Sequence, residues 1–197
     1  MTKKINSDFF SRYFNHIKNE LDTVSVNSLL DAAKVLKSTP KTNKVIIIGN
    51  GGSSSIASHV SVDLTKVAKI RSINFNEADL LTCFSNDYGY DNVFEKAIES
   101  YAIKGDILIA ISSSGKSKNI INAVKKAKKL KMKIINFSGF SKNNPLNKLG
   151  HLNFWINSKA YNIVEISHQT LLLSIVDFIV GKIYYKSSWN EKYLNNW

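Results

Sequence analysis

A chain of 197 residues, 44% hydrophobic and 21% charged, is long enough to bury one sizeable core, and these proportions exclude disordered and collagen-like classes. Its formal net charge of +12 invites a nucleic-acid reading, but the cations are almost all lysine, with Arg12 and Arg71 as the arginines. Base readout and bidentate phosphate recognition favour arginine, so no nucleic-acid partner is expected. Lys125, Lys126, Lys128, Lys129 and Lys131 read as one solvated helix face. Cys83 stands alone, which rules out an intramolecular disulfide or a cysteine zinc cluster and suggests a small buried hydrophobe in a reducing compartment. Residues 1–6 lack the apolar stretch of a secretory signal, and the late apolar run 171–180 contains Asp177 and reads as too short to span a bilayer. The expectation is a cytoplasmic protein with no membrane partner.

In chain order, Phe9, Phe10, Tyr13, Phe14, Ile17 and Leu21 recur at helical spacing, and a second helix follows over about 27–36. Residues 44–48 form a β-branched run that ends in Gly49-Asn50-Gly51-Gly52, the pattern of a buried strand entering a tight turn. Helical spacing resumes from Ser53 to about Val67. The same order recurs as a strand at 106–111, a polar loop at 112–117 and a helix at 119–130. A strand over 133–137, a weaker one over 152–156 and a long apolar helix over 163–184 complete the pattern. Alternating strands and helices predict an α/β fold, a three-layer sandwich with a mostly parallel central sheet flanked by helices. One domain is expected: N-terminal helices over 1–40, an α/β core over 41–186 and a polar tail over 187–197, whose Trp189 and Trp197 suggest packing on a neighbour.

Two predicted strand ends carry small, donor-rich loops, Gly49 to Ser55 and Ser112 to Ser117. Glycines let the backbone approach an anion, hydroxyls donate to its oxygens, and the following helix N-terminus adds its dipole. In open parallel sheets ligands bind at the carboxyl ends of strands, where both loops are predicted to lie. Either loop alone could be a helix cap and turn. Neither has the spacing of a dinucleotide fingerprint or a P-loop.

Gly49-Asn50-Gly51-Gly52-Ser53 followed by His59, then Asn86-Asp87-Tyr88-Gly89-Tyr90, then Ile111-Ser112-Ser113-Ser114-Gly115-Lys116-Ser117, resembles the phosphoheptose (sedoheptulose 7-phosphate) isomerases of the sugar isomerase, or SIS, family. The resemblance covers most of the chain in the right order. It implies an SIS-type three-layer fold, a homotetramer with active sites at subunit interfaces, and an aldose-ketose isomerisation that supplies surface-polysaccharide or lipopolysaccharide sugars. It also implies that Asn50, Gly51, Gly52 and the adjoining Ser53 touch a sugar phosphate, that Asn86 and Asp87 flank the sugar, and that Ser112, Ser113, Ser114 and Ser117 bind its phosphate.

The departures fall on the chemistry. Where the resembling family has His-x-x-x-Glu after the first loop, this chain has His59 and Asp63. On the late helix the family's Gln is Val164 and its second His is Leu172, so two of the four ligands of the zinc site found in some members are replaced by hydrocarbon, and no metal is expected. Helical geometry places Val164, His168 and Leu172 on one stripe, with Glu165 at its edge. Asp63 is the expected base, His168 or His59 the expected acid, and Glu165 the reserve. His16 and His151 match no motif. Three functions remain compatible with this pattern: the phosphoheptose-type isomerase, a sugar-phosphate binder without turnover, and an isomerase of another phosphorylated sugar.

Overall fold

A computed structural model describes residues 8–183 of the chain. Two amphipathic helices lead in: α1, Asp8–Asp22, and α2, Val26–Lys37. Ser25 caps α2 by accepting the Ser28 N–H at 3.3 Å, meeting one of the orphan donors of a helix start. The remaining elements, in order, are β1 (Val45–Ile48), α3 (Gly52–Lys66), β2 (Ser72–Asn74), α4 (Ala78–Tyr88), α5 (Val93–Tyr101), β3 (Ile107–Ser112), α6 (Lys118–Lys129), β4 (Lys133–Ser138), β5 (Leu152–Trp155) and α7 (Tyr161–Val180).

The five strands form one sheet in the order β2-β1-β3-β4-β5, every neighbouring pair parallel. Parallel strands covered on both faces need apolar residues at consecutive positions, and β1 and β3 are buried along their whole length. Their side chains alternate between two cores. Val45, Ile47, Ile107, Ile109 and Ile111 face α2, α3 and α7, whereas Ile46, Ile48, Leu108 and Ala110 face α5 and α6. Beneath the sheet Asp106 joins the approaches to β1 and β3. Its buried carboxylate accepts Lys44 Nζ at 2.7 Å, and the Lys44 N–H, the Ile103 N–H and Asn43 Nδ2 at 3.0–3.1 Å. Burial pushes the Asp106 carboxyl up, but these hydrogen bonds outweigh it and hold the group below its ordinary value.

The expected α/β three-layer architecture is the one observed. Within it, β2, α4 and α5 had no counterpart in the pattern: β2 is a three-residue edge strand, and no residue of α4 is fully buried, so neither carries a clear period. Cys83, expected inside, is exposed on α4. The late helix starts at Tyr161 and runs for 20 residues, so it is long and apolar enough to cross a membrane, contrary to the reading taken from residues 171–180 alone. Here it packs on α1, α2 and α3 as a core helix, with Ile163, Val164, Leu171, Leu172, Ile175 and Val176 buried. The helix ends at Val180, short of the expected end at 184, because Gly181 caps it in the left-handed conformation; the tail with Trp189 and Trp197 lies outside the described residues.

Candidate functional site

The two donor-rich loops meet at the carboxyl edge of the sheet. β1 ends at Ile48, and the chain turns through Gly51, whose φ of +55° is a conformation that side chains rarely adopt, into α3. The Ser53 and Ser54 N–H groups bond back to Asn50 and Gly51, both at 3.0 Å. β3 ends at Ser112, and its loop closes with the Gly115 N–H on the Ser112 carbonyl at 2.9 Å and the Lys116 N–H on Ser114 Oγ at 3.2 Å. Ser117 is the N-cap residue of α6 but its hydroxyl makes no cap; it accepts from Ser112 Oγ at 3.2 Å and keeps its own proton to donate. Two helix N-termini, those of α3 and α6, therefore open toward the same space.

That space is a cavity of about 270 Å³ lined by Asn50, Gly51, Gly52 and Ser53 from the first loop and Ser112, Ser113, Ser114 and Ser117 from the second. Ile111, Tyr161 and Glu165 complete its wall. It lies at the small end of the range for ligand pockets, a size for a compact phosphorylated molecule. Helix dipoles, free N–H groups and hydroxyls favour the phosphate; Glu165 is the one acidic side chain in the lining. Ser113 Oγ donates to Glu165 Oε1 at 3.5 Å, and the carboxylate lies against Gly52, on the site where any Cβ there would have to go.

The loops are tied together by residues that sequence patterning left unassigned. Asn50 and Asn119 exchange reciprocal amide hydrogen bonds, each 3.0 Å, and Tyr90 donates its hydroxyl to Asn50 Oδ1 at 2.8 Å. Asn119 stands two residues after Ser117, at the start of α6, and Tyr90 ends the Asn86-to-Tyr90 motif. Neighbourhood to those motifs was the available signal. Asn86 and Asp87 themselves stay exposed near the end of α4, where Asn86 Nδ2 donates to Asp87 Oδ1 at 3.0 Å, and they are not part of the cavity wall.

The late helix corrects the sequence reading. The stripe Val164, His168, Leu172 faces the core rather than the cavity: its members are 0%, 0% and 1% exposed. His168 packs edge-on against Phe137, and its Nε2 lies 3.1 Å from the Ser138 carbonyl. A carbonyl only accepts, so Nε2 carries the proton, while Nδ1 has no partner among the described residues. Burial pushes the imidazole down to about 4 against the opposing pull of the Ser138 bond, so it is neutral at physiological pH. The edge residue Glu165 is the one turned to the cavity, because the sheet and α3 take up the apolar stripe beside it.

His59 and Asp63 do come together on α3, with Nε2 to Oδ2 at 3.4 Å. His59 Nδ1 lies 3.0 Å from Gln169 Nε2 on α7. Gln169 was not singled out from the sequence; it follows Glu165 by one turn, and that i,i+4 spacing is the signal that could have found it. The pair is partly exposed and outside the cavity wall of the single chain. A metal site of the family's design does not fit these donors, since Val164 and Leu172 are buried hydrocarbon, and no group of three or more His, Cys, Asp or Glu able to hold an ion occurs among the described residues.

Comparison with known proteins places this geometry. Residues 10–139 match the SIS domain family. The chain is 38% identical over 126 residues to the phosphoheptose isomerase of Helicobacter pylori (strain ATCC 700392 / 26695), spanning 58% of this chain and 66% of that one. It is 38% identical over 146 residues to the phosphoheptose isomerase of Buchnera aphidicola subsp. Acyrthosiphon pisum (strain Tuc7), covering 71% of this chain and 76% of that one. Among solved structures, the phosphoheptose isomerase GmhA from Neisseria gonorrhoeae superposes with a TM-score of 0.78 at 27% identity, covering 86% of this chain and 94% of that one.

Proposed function

Because the chain belongs to the SIS domain family, and its relatives are phosphoheptose isomerases, we propose that it interconverts sedoheptulose 7-phosphate and the corresponding aldose phosphate, for surface-polysaccharide or lipopolysaccharide synthesis in the cytoplasm. One observation carries this reading: a carboxylate, Glu165, shares a small cavity with two phosphate-type loops.

The reaction moves a proton between adjacent carbons through an enediol, which needs a base at the carbon, proton donors at the two oxygens and a fixed grip on the far phosphate. Ser112, Ser114, Ser117 and the N-terminus of α6 hold the phosphate. Asn50, locked by Asn119 and Tyr90, together with Gly51, Gly52 and Ser53, holds the sugar. Glu165 takes the proton from one carbon and returns it to the next, with Ser113 orienting its carboxylate. His168, neutral and sealed in the core, takes no part in proton transfer. The His59-Asp63-Gln169 cluster, and Asn86 with Asp87, serve a site completed by a second copy of the chain.

Such completion suits the surface. Phe9, Phe10 and Phe14 on α1, Val62 on α3 and Phe178 on α7 are each more than half exposed, an apolar display that fits a homo-oligomer, here a tetramer. Incubation with sedoheptulose 7-phosphate tests the function: the aldose phosphate accumulates to an equilibrium mixture. Binding without conversion would leave the sugar-phosphate binder as the better account, and conversion only of a shorter sugar phosphate would reassign the substrate.

A further inference from the structure

A second cavity, of about 450 Å³, opens at the opposite edge of the sheet. Lys37 at the end of α2, Lys41 ahead of β1, and Lys69 and Arg71 in the turn between α3 and β2 all line it. No Asp or Glu does, and none of the four makes an ion pair among the described residues. On α6, Lys118 and Lys126 have Asp91 and Glu99 as partners, whereas four cations drawn from three segments into one concavity repel one another and sum their fields.

Two further features make this a built site. Thr39 lines the cavity, and its Oγ1, covered here and without a hydrogen-bond partner among the described residues, reaches a bound anion by rotation of the side chain about χ1. Arg71 is fixed rather than loose: its Nη1 donates to the Lys41 and Thr42 carbonyls at 3.2 and 3.4 Å, and its other N–H groups have no partner among the described residues. Ile70 and Ile179 supply an apolar wall. The location is distinct from the serine loops, because Lys41 and Arg71 precede the strands whose far ends carry those loops, a strand length of roughly 13 Å away. The helix α7 reaches both places, with Glu165 in one cavity and Ile179 in the other.

We propose that this cavity is a second anion site for a nucleoside diphosphate, the diphosphate held by Lys37, Lys41, Lys69, Arg71 and the Thr39 hydroxyl, and the base lying on Ile70 and Ile179. More than one oxyanion centre is needed to answer four cations, and an apolar wall would be wasted on inorganic phosphate. This inference does not depend on the catalytic reading of the serine loops.

Isothermal titration calorimetry of the full chain at constant ionic strength tests it, with ADP, inorganic pyrophosphate and adenosine as probes. The expected result is one ADP per chain, weaker pyrophosphate, no adenosine, and no displacement by sedoheptulose 7-phosphate. The double substitution Lys41→Gln with Lys69→Asn should weaken ADP by about tenfold or more. Asn suits the φ of +59° at residue 69, so the turn is retained. Absence of ADP binding, equal binding by the double variant, or displacement by the sugar phosphate would each overturn the site. Pyrophosphate binding as tightly as ADP would overturn the assignment to a nucleoside.

Discussion

The carboxylate of Glu165 occupies the place that a Cβ on Gly52 would take, so the side chain of Glu165 keeps this position over the first turn of α3 only while residue 52 is glycine. Gly52 is the first residue of α3, where alanine would ordinarily be tolerated or slightly favoured. The expected outcome of Gly52→Ala is therefore a folded protein with a misplaced base: turnover down by roughly a hundredfold, with the melting temperature little changed. Steady-state kinetics beside a thermal melt checks this. Wild-type kcat in Gly52→Ala would detach Glu165 from the chemistry.

The second loop predicts a separate signature. Ser117 and Ser114 each accept one hydrogen bond, from Ser112 Oγ and from the Lys116 N–H, and each keeps its own proton to donate to an anion. Ser117→Ala and Ser114→Ala should each weaken sugar-phosphate binding by about 1–3 kcal/mol, with kcat at saturation nearly retained in both. Direct calorimetric titration with the sugar phosphate reads the difference. Equal, unaltered affinities would move the phosphate elsewhere.

The parallel α/β architecture, the two loops and the core strands were legible because each rests on local pattern: β-branched runs such as residues 45–48, then glycine or serine, then a 3.6-residue period. The strand order, which is set by non-local pairing, and the edge strand β2 were not. The facing of α7 was not. Helical spacing put Val164, His168 and Leu172 on one stripe correctly, but a period cannot say whether a stripe faces ligand or core. With mean hydrocarbon character all around the helix, that choice was made by the packing of Phe137 and α3 against it. Asn119 and Tyr90 were missed for a related reason: their contacts with Asn50 span 69 and 40 positions in the chain, beyond any local period.

Burial of His168 has a pH consequence. Its pKa falls from an ordinary 6.5 to about 4 on folding, so between these values the unfolded chain holds the proton and the folded chain does not. Its contribution is fully present above pH 6.5 and is lost as pH falls through the folded value, amounting to about 3 kcal/mol at pH 4. In urea titrations across this window, His168→Gln should flatten the pH dependence while its activity profile near neutrality follows the wild type. An unchanged stability slope would contradict the buried neutral imidazole, and a shifted activity profile would return His168 to the reaction.

The aromatic face of α1 predicts assembly. Phe10 and Phe14 are 63% and 62% exposed in the single chain, more than a monomer of this size would be expected to leave to water at adjacent turns. Light scattering at micromolar concentration should give a tetramer, and Phe10→Ser with Phe14→Ser should shift it toward smaller species. A wild-type monomer would leave His59, Asp63, Asn86 and Asp87 without the second chain assigned to them.

The central claim is that Glu165 moves a carbon-bound proton of a sugar phosphate held by the two loops. Proton NMR of sedoheptulose 7-phosphate with the protein in heavy water addresses it directly, because an enediol exchanges the transferred hydrogen with solvent even where net conversion is slight. The wild type is expected to incorporate deuterium at the carbon next to the carbonyl, and Glu165→Gln to bind the sugar phosphate with little loss yet incorporate none on the same timescale. Deuterium entering at the wild-type rate in Glu165→Gln, or never entering in the wild type, would contradict the account.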